Sequence, residues 1–262
     1  MSPPAVRVVL ASNRSPMTLD GTRTYLVGTD RPVVIDPGPD LPAHVDAIVR
    51  ALAGRPPGAI IVTHSHADHA GAAARLAART ETHVRMAGHP NRASVVPAEL
   101  VEAVRGSETV STPAGRFEII PTPGHAPDHL AVLWSGDAAP AGGVLFVGDL
   151  LMGEGDTALV APPEGDLGEY LRSLDRVEAL GAGILYPAHG PPLEDPAEAI
   201  RRYRRHREMR LGQVRQALLE SPGAEAGALV DAVYGASLNP ALRWAAEGSI
   251  RAMMEYLEQS GG

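Results

Sequence analysis

Short runs of apolar and β-branched residues, separated by turn-forming residues, dominate the first part of this chain. The run AIIV at 59–62 is apolar throughout, which is typical of a strand that is buried on both faces of a sheet. Other runs are bounded by pairs such as Ser15-Pro16 and Asp20-Gly21, which favour turns. The pattern predicts strands at 6–10, 24–28, 33–36, 59–62, 117–121, 130–135, 143–148 and 183–186.

Apolar positions recur with helical spacing in segments that lie between these strands. Residues 41–52 and 166–180 each place their apolar side chains on one face, and an alanine-rich segment predicts a further helix from about 70 to 79. Because strands and helices alternate up to residue 192, we expect an α/β layered domain over residues 1–192.

The pattern changes after Gly190-Pro191-Pro192. From residue 195 onward it is helical, with breaks at Ser221-Pro222-Gly223 and at Asn239-Pro240. We therefore expect a C-terminal helical domain over residues 193–262, with a winged-helix-like arrangement.

The composition excludes several classes of protein. The chain contains no cysteine, which excludes disulfides, cysteine nucleophiles and thiolate metal sites. Its formal net charge of -8 disfavours nucleic-acid binding through a broad basic surface. No apolar run approaches the roughly 20 residues that span a bilayer, so we expect no membrane association. The segment Met1 to Leu10 lacks a charged region followed by a hydrophobic stretch, so we expect no secretory signal and a cytoplasmic location.

The loop after the strand at 59–62 carries the densest group of potential ligands. In THSHADHAG, three histidines and an aspartate follow one another closely: His64, His66, Asp68 and His69. Protonated rings would repel one another, whereas a divalent cation would take the ring lone pairs and attract the carboxylate. Surface histidines on a loop are the alternative, but this density directly after a buried strand favours a metal site. Because loop residues can point in different directions, they can serve two ions.

Three more candidate ligands follow later predicted strands. His125 lies in the turn TPGHAPDH, Asp149 ends GGVLFVGD, and His189 ends ILYPAHG. Each alone is a weak indication, because a lone His or Asp at a strand end is more often a hydrogen-bonded cap. Together they supply ligands at places where side chains leave a sheet at one edge.

These residues, in this order, resemble the metallo-β-lactamase superfamily over residues 13–192. The resemblance implies a four-layer αββα sandwich, an α/β fold, with metals at one edge of its two sheets. It implies two ligand sets joined by a bridging aspartate: His64, His66 and His125 for one ion, Asp68, His69 and His189 for the other, and Asp149 between them. Asp68, Asp149 and His189 are then expected to act in catalysis. True β-lactamases usually lack the bridging aspartate, so the resemblance disfavours antibiotic hydrolysis.

A narrower resemblance is to the subfamily of β-lactamase-like protein 2. It is carried by NRSPMTLDGTRTYLVG, VVIDPGPD, THSHADHAG, TPGHAPDH, GDLLMGEGDT, YPAHGPP and YRRHREMR. Animal members of that subfamily are endoribonucleases acting on single-stranded RNA, and fungal relatives act as thioesterases. The chain departs from the common pattern at Arg14 and Arg23, in a segment expected to border the pocket, so the substrate does not follow from the resemblance.

The implied ligands are nitrogen and oxygen atoms without sulfur, which suit zinc and also iron or manganese. We expect two divalent ions, with Zn²⁺ as the first candidate. Two ions about 3.5–4 Å apart can hold a bridging hydroxide, because a metal lowers the pKa of bound water to about 7, and can polarise a substrate oxygen. Such a site would cleave an ester-type bond.

Four further residues are candidates for supporting or substrate-binding roles. Asp36 ends a predicted strand and is expected to orient a ligand, although a turn cap would also lie there. His129 is expected to face the pocket, where it would contact substrate or a ligand. Arg207 interrupts an apolar helical stripe, so either it locks the helix onto the main domain, or it or Arg210 contacts a phosphate or carboxylate of the substrate. Three other histidines, His44, His83 and His89, are outside any ligand pattern and are expected at the surface.

Three functions remain open at this point. The first is a dinuclear metal-dependent hydrolase of a small acyl substrate, such as a thioester or lactone. The second is an endoribonuclease on single-stranded RNA, favoured by seven arginines in residues 201–215 but disfavoured by the acidic net charge and by only 10 aromatic residues. The third is a non-catalytic metal-binding regulatory module, which would have no need of an intact ligand set. A homodimer is common among such folds, and the sequence leaves the oligomeric state open.

Overall fold

The computed structural model of the chain describes residues 6–88, 95–137 and 139–260. Its strands are β1 (Val6–Leu10), β2 (Arg23–Val27), β3 (Val33–Ile35), β4 (Ala59–Ile61), β5 (Val84–Met86), β6 (Val101–Ala103), β7 (Thr109–Thr112), β8 (Gly115–Pro121), β9 (Leu130–Ser135), β10 (Val144–Gly148) and β11 (Ile184–Pro187). Its α-helices are α1 (Pro42–Leu52), α2 (Ala67–Ala70), α3 (Ala73–Thr80), α4 (Leu167–Ala179), α5 (Pro196–Glu220), α6 (Ala226–Tyr234) and α7 (Arg243–Gln259).

The described strands form two mixed sheets. The first has the order β1-β2-β3-β4-β5-β6, and the second has the order β11-β10-β9-β8-β7. In the first sheet β3 and β4 are parallel, and in the second β10 and β11 are parallel. Parallel strands end at the same sheet edge, so the loops that follow each pair lie together.

Both sheets are buried on two faces because their strands alternate between two cores. In β10, Val144 and Phe146 pack between the sheets, whereas Leu145 and Val147 face the helices. The other side of the first sheet packs on α1 and α3 through residues such as Ile48. The layers are therefore helix, sheet, sheet, helix, and the predicted four-layer αββα sandwich is confirmed.

The C-terminal helices pack on the second sheet's outer layer. Tyr203 of α5 and Ile250 of α7 share one buried cluster with Leu145 of β10 and Leu174 of α4. The Tyr203 hydroxyl donates to the Met152 carbonyl (3.0 Å) and accepts from the Met152 amide (2.8 Å). The helical appendage is thus anchored on the sandwich. None of the helices in the described part of the chain is long and apolar enough to cross a bilayer.

Several predicted elements have different bounds in the structure. The helix predicted from about 70 to 79 is two helices, α2 and α3, and the first begins three residues earlier, inside the polar loop. The pattern did not predict β5, β6 or β7, each only three or four residues long. Residues 193–260, all described, contain helices and no strand, so the winged-helix-like arrangement is not confirmed.

Candidate metal centre

All seven candidate ligands lie at one edge of the sandwich. His64 and His66 follow β4, and Asp68 and His69 lie in the short helix α2 that comes directly after them. Asp149 and His189 follow the parallel strands β10 and β11. His125 follows β8, which runs in the same direction as β10 because β9 is antiparallel to both. Strand direction therefore brings together residues that are far apart in the sequence.

The first group of donors consists of three imidazoles and one carboxylate. His64 Nε2 lies 2.9 Å from His66 Nδ1, which lies 3.1 Å from His125 Nε2. Asp149 Oδ2 lies 3.5 Å from His125 Nε2. One donor atom from each of these four residues lies within 4.8 Å of the others.

The second group consists of Asp68, His69 and His189. Asp68 Oδ2 lies 3.6 Å from His69 Nε2 and 3.3 Å from His189 Nε2. Both ring nitrogens also lie 3.3 Å from Asp149 Oδ1. The two oxygens of Asp149 thus face different groups, which is the arrangement expected of a bridging carboxylate.

Divalent ions fit these two groups. His69 Nε2, His189 Nε2 and Asp149 Oδ1 are buried and have no hydrogen-bond partner among the described residues. Buried polar atoms without partners are costly, and a cation would satisfy all three. Four donors at about 2.0–2.1 Å from zinc stand roughly 3.3 Å apart in a tetrahedron, close to the spacings found here. Imidazole and carboxylate donors without sulfur suit zinc, iron or manganese alike.

Each imidazole of the second group is oriented by a bond on its outer side. Asp36 is buried, and its Oδ2 accepts from His69 Nδ1 at 2.9 Å, so His69 Nε2 is the ring nitrogen that faces the site. Asp36 also accepts from the Thr63 amide (2.7 Å) and the Thr63 hydroxyl (2.9 Å). His189 Nδ1 donates to the Gly21 carbonyl at 3.3 Å. The expected role of Asp36 in orienting a ligand agrees with these contacts.

The first group is oriented in the same way by residues that the sequence did not single out. His66 Nε2 donates to Glu164 Oε2 at 2.8 Å, which leaves Nδ1 facing the site. His125 Nδ1 donates to the Leu159 carbonyl at 2.7 Å. The Thr63 hydroxyl donates to Asp36, so it accepts from His64 Nδ1 at 3.1 Å. A backbone carbonyl has no sequence signal, and Glu164 lies 98 residues from His66, so neither partner could be found from local pattern.

His129 supports the site from behind. Its Nε2 accepts from the Asp149 amide at 3.1 Å, and its Nδ1 therefore donates to the Thr122 hydroxyl at 2.8 Å. It is buried and does not line the pocket that opens onto the donors, so the structure favours the supporting role over substrate contact. Burial lowers the pKa of His129 to about 3, and the nearby His125 adds to this, so the ring is neutral.

The two groups differ in their electrostatics. Burial lowers the pKa of His64 well below its ordinary value and also lowers that of His125, so both rings present neutral lone pairs. In the second group the carboxylates of Asp149, Asp68 and Asp36 outweigh burial and raise the pKa of His69 well above its ordinary value. A metal ion would replace this extra proton as the cationic partner of the carboxylates.

A pocket of about 600 Å³ opens onto the donors. His66, Asp68, His125 and Asp149 form part of its wall. The rest is mostly apolar and comes from both parts of the chain, including Met17, Met152, Leu159, Leu238, Leu242 and Trp244. The α6–α7 region thus supplies much of the wall that a substrate would touch.

The two arginines singled out in the sequence have different positions. Arg207 is buried, donates to the Ala158 carbonyl and lies with its guanidinium carbon 4.9 Å from the Tyr170 ring centre. Arg210 lines the pocket. The contacts of Arg207 therefore match the helix-locking alternative, and Arg210 is the one that can reach a substrate.

Two of the three histidines expected at the surface can be checked. His83 is exposed, as expected. The expectation for His44 was wrong, because His44 is buried and its Nε2 lies 2.9 Å from the Thr24 hydroxyl, where it packs beneath the turn that follows Asp36. His89 lies outside the described residues.

Comparisons with known proteins show the family of this chain. The family model of the metallo-beta-lactamase superfamily matches residues 17–189. The atrochrysone carboxyl ACP thioesterase of Aspergillus chevalieri is 33% identical over 227 residues, which are 86% of this chain and 69% of that protein. The beta-lactamase-like protein 2 homolog of Drosophila melanogaster is 30% identical over 268 aligned residues, covering 97% of this chain and 87% of that protein.

Solved structures show the same fold. A metallo-beta-lactamase family protein of Thermus thermophilus has a TM-score of 0.79 at 22% identity, covering 98% of this chain and 94% of its own. The protein TTHA1623, solved in a di-iron-bound form, has a TM-score of 0.55 at 27% identity, covering 72% of this chain and 94% of its own. The first of these structures therefore shares the fold over almost the whole chain, including the C-terminal helices.

Proposed function

Because this chain belongs to the metallo-β-lactamase superfamily and is a hydrolase, we propose that it uses two divalent metal ions to cleave a small acyl substrate, with a thioester as the first candidate. The observation that carries this proposal is the convergence of seven donor residues into two groups that share Asp149. Zinc is the first candidate for both ions, and the di-iron form of a structural relative keeps iron open.

The pocket supports an acyl substrate. Its wall beside the donors is largely apolar, which suits a hydrocarbon or aromatic acyl group. The fungal relative named as an acyl carrier protein thioesterase cleaves a bond of this class. An RNA substrate has less support, because arginines of α5 such as Arg201, Arg204 and Arg205 pair with Glu198 and Asp175 and do not form a free basic groove.

We assign different roles to the residues around the site. Bound divalent ions would supply a nucleophilic hydroxide near neutral pH and polarise the scissile carbonyl. His64, His66, His125 and Asp149 would hold one ion, and Asp68, His69, His189 and Asp149 the other. Asp36, Glu164 and His129 fix ring tautomers and the Asp149 loop, so the donors are ordered before a substrate arrives.

We propose the same division of the chain that the sequence predicts. Residues 1–192 provide every donor, and residues 193–262 provide the Arg210 and Trp244 side of the pocket. The C-terminal part would then select the substrate while the sandwich carries out the hydrolysis.

A turnover screen tests the proposal. The metal-loaded protein is assayed with a thioester, a lactone, a phosphodiester and a short single-stranded RNA, beside Asp149→Asn and the exposed-site control His83→Ala. We expect thioester turnover that falls more than about 100-fold in Asp149→Asn, because the shared ligand is lost, and stays unchanged in His83→Ala. Turnover of RNA alone would overturn the acyl assignment, and full activity of Asp149→Asn would overturn the bridging role.

A further inference from the structure

The pocket contains one cationic side chain whose charge no described carboxylate neutralises. Arg210 is the only arginine among the described residues that line it. No carboxylate of the described residues lies within 4.0 Å of its guanidinium, whereas Arg201, Arg204 and Arg205 of the same helix all pair with acids. Asp156, the acid beside this cluster, lies 3.9 Å from His206 and beyond ion-pair distance of Arg210.

Neutral partners hold the Arg210 side chain in place. Its Nη1 donates to the Val233 carbonyl at 2.6 Å and to Gln213 Oε1 at 3.0 Å, and its Nε donates to His206 Nε2 at 3.2 Å. The guanidinium carbon lies 4.4 Å from the Tyr234 ring centre. Burial lowers the pKa of His206, with Arg207 and Arg210 adding to this effect, so its ring accepts without adding a charge.

One nitrogen of Arg210 remains for a ligand. Nη2 makes no hydrogen bond to any described residue, while Nε and Nη1 are both committed. A guanidinium that is fixed by neutral groups and faces a pocket is prepared to bind an oxyanion, because little side-chain freedom is lost on binding.

We propose that the pocket selects an acyl substrate with an apolar body and an anionic group, a carboxylate or a phosphate, which binds Arg210. The apolar body would lie against the apolar wall that Leu238, Leu242 and Trp244 help to form. This inference rests on the proposed acyl hydrolysis. The anion can belong to the acyl part as a carboxylate or to the leaving thiol as the phosphate of phosphopantetheine.

Matched thioesters separate these two sources. The substrates are hexanoyl and adipoyl N-acetylcysteamine, which differ by a terminal carboxylate, and hexanoyl 4′-phosphopantetheine. In Arg210→Gln we expect the KM of one or both anionic substrates to rise about 10- to 100-fold, which is the range of a lost charge-assisted hydrogen bond. The kcat values, and the KM of the neutral substrate, should stay unchanged. The control Arg205→Gln removes an exposed arginine of the same helix and should leave all three unchanged.

If kcat/KM fell equally for the neutral and the anionic substrates in Arg210→Gln, Arg210 would only support the fold, and the proposal would be overturned. Unchanged constants for all three would overturn it as well. A rise confined to adipoyl N-acetylcysteamine places the anion on the acyl part, and a rise confined to the phosphopantetheine thioester places it on the leaving group.

A binding measurement separates this inference from the proposed function. Trp244 lines the pocket and is exposed, whereas the only other tryptophan, Trp134, is fully buried between the sheets, so fluorescence changes report on Trp244. The monoethylamide of adipic acid, which keeps one free carboxylate, and the ethylamide of hexanoic acid are titrated into the metal-loaded protein. If the anion belongs to the acyl part, we expect the adipic ethylamide to bind about 10-fold or more weakly to Arg210→Gln than to the wild type, and the hexanoic ethylamide to bind both equally.

The two measurements fail independently. If the protein hydrolyses none of the thioesters but Arg210 still discriminates between the ethylamides, the acyl hydrolysis is wrong and the anion site stands. If the thioesters are hydrolysed, and Arg210→Gln changes neither the KM of either anionic thioester nor the binding of the adipic ethylamide, the anion site is wrong and the hydrolase stands.

Discussion

At each of the five converging imidazoles, one ring nitrogen is bonded away from the site and the other faces into it. The outer partners are chemically diverse: carboxylates for His66 and His69, backbone carbonyls for His125 and His189, and a hydroxyl for His64. The shared result is a single tautomer with its lone pair directed inward. This arrangement favours cation binding because no ring has to turn, and in the second group the ion takes the place of the extra proton on His69.

Asp36→Asn tests the buried carboxylate that accepts from His69. Asp36 has a φ of 50°, which asparagine tolerates, so the backbone should stay in place. The amide oxygen would keep the bond from the Thr63 amide, and its NH₂ would then face His69 Nδ1, which pushes the His69 proton onto Nε2. We expect metal affinity to fall about 10- to 100-fold, measured by competition with a chromophoric chelator.

The control for this variant is Asp40→Asn, which removes an exposed aspartate paired with Arg75. Its metal affinity should equal that of the wild type, and its stability should change by less than about 1 kcal/mol. Wild-type affinity in Asp36→Asn would show that the tautomer of His69 does not depend on this carboxylate.

Arg207→Ala tests the buried cation of α5. The variant would leave the Ala158 carbonyl without its donor and Tyr170 without its guanidinium neighbour, so we expect the free energy of unfolding to fall by about 2–4 kcal/mol. Chemical denaturation measures this loss. The exposed Arg205→Ala should change it by less than about 1 kcal/mol, and similar losses in both variants would remove the anchoring role.

The candidate ligands could be located from the sequence, whereas most of the residues that orient them could not. Ligand residues are spaced along the chain by the strands they follow, as in His64, Asp149 and His189, and strand ends are visible in the apolar pattern. Outer partners come from any element that happens to pack there. Asp36 could be found because it also ends a strand, but Glu164 sits in a loop without periodicity, and the surface expectation for His44 was wrong because nothing local signals burial.

At the scale of elements, the site depends on close approach between α4 and the turn that carries His125. Gly124 has a φ of 131°, and a Cβ on it would lie 2.3 Å from the backbone of Tyr170. The Gly124 carbonyl also accepts from the Asp166 amide, at the N-terminus of α4, at 2.9 Å. Only glycine allows the turn to pass this close to the helix.

Gly124→Ala should therefore displace the turn that holds His125. We expect a loss of roughly 2 kcal/mol or more in unfolding free energy, together with weaker metal binding, because the helix and the ligand cannot both keep their positions. Thermal denaturation and metal titration on one preparation measure both effects.

The matched control is Gly212→Ala, in the middle of α5, where a Cβ would meet no atom within 4 Å. The free energy of unfolding of this variant should rise by about 0.5–1 kcal/mol, since alanine is the better helix former. Its metal binding should be unchanged. If Gly124→Ala behaved like Gly212→Ala, the tight approach to Tyr170 would have no consequence.

The strands that could be predicted are those with an unbroken apolar run, including the three-residue strands β3 and β4. β8, β9 and β10 have five to seven residues and clear apolar runs, and the break between α5 and α6 follows Ser221-Pro222-Gly223 as expected. β5 and β6 are interrupted by Arg85 and Glu102, so they are recognisable only from their parallel pairing in the sheet. Pairing is a long-range property, which local sequence does not record.

At the scale of the whole molecule, metal binding should stabilise the folded state. An ion present at 1,000 times its Kd contributes about 4 kcal/mol, which at about 2–4 °C per kcal/mol corresponds to roughly 8–16 °C in melting temperature. We expect close to two ions per chain by elemental analysis and a drop of this size after chelation, measured by differential scanning calorimetry. One ion or none per chain, or an unchanged melting temperature, would contradict the two-group site.

The C-terminal helices share a hydrophobic core with the sandwich, so we expect that the sandwich does not fold properly without them. Tyr203, Val214 and Ile250 are buried in the cluster that also covers Leu174 of α4. A chain ending at residue 192 would expose the α4 face to water and remove the donor to Ala158, next to the carbonyl that holds His125. Exposed apolar patches of this kind cause aggregation or loosened packing.

We therefore expect residues 1–192 alone to aggregate, or to bind a hydrophobic dye strongly and bind metal less than stoichiometrically, even though they contain all seven donors. Size-exclusion chromatography, dye fluorescence and elemental analysis of the truncated and full chains measure this difference. A monomeric, dye-negative fragment with two bound ions would instead show that the sandwich folds without the helices. The helices would then serve only the substrate end of the pocket, where Arg210 and Trp244 lie.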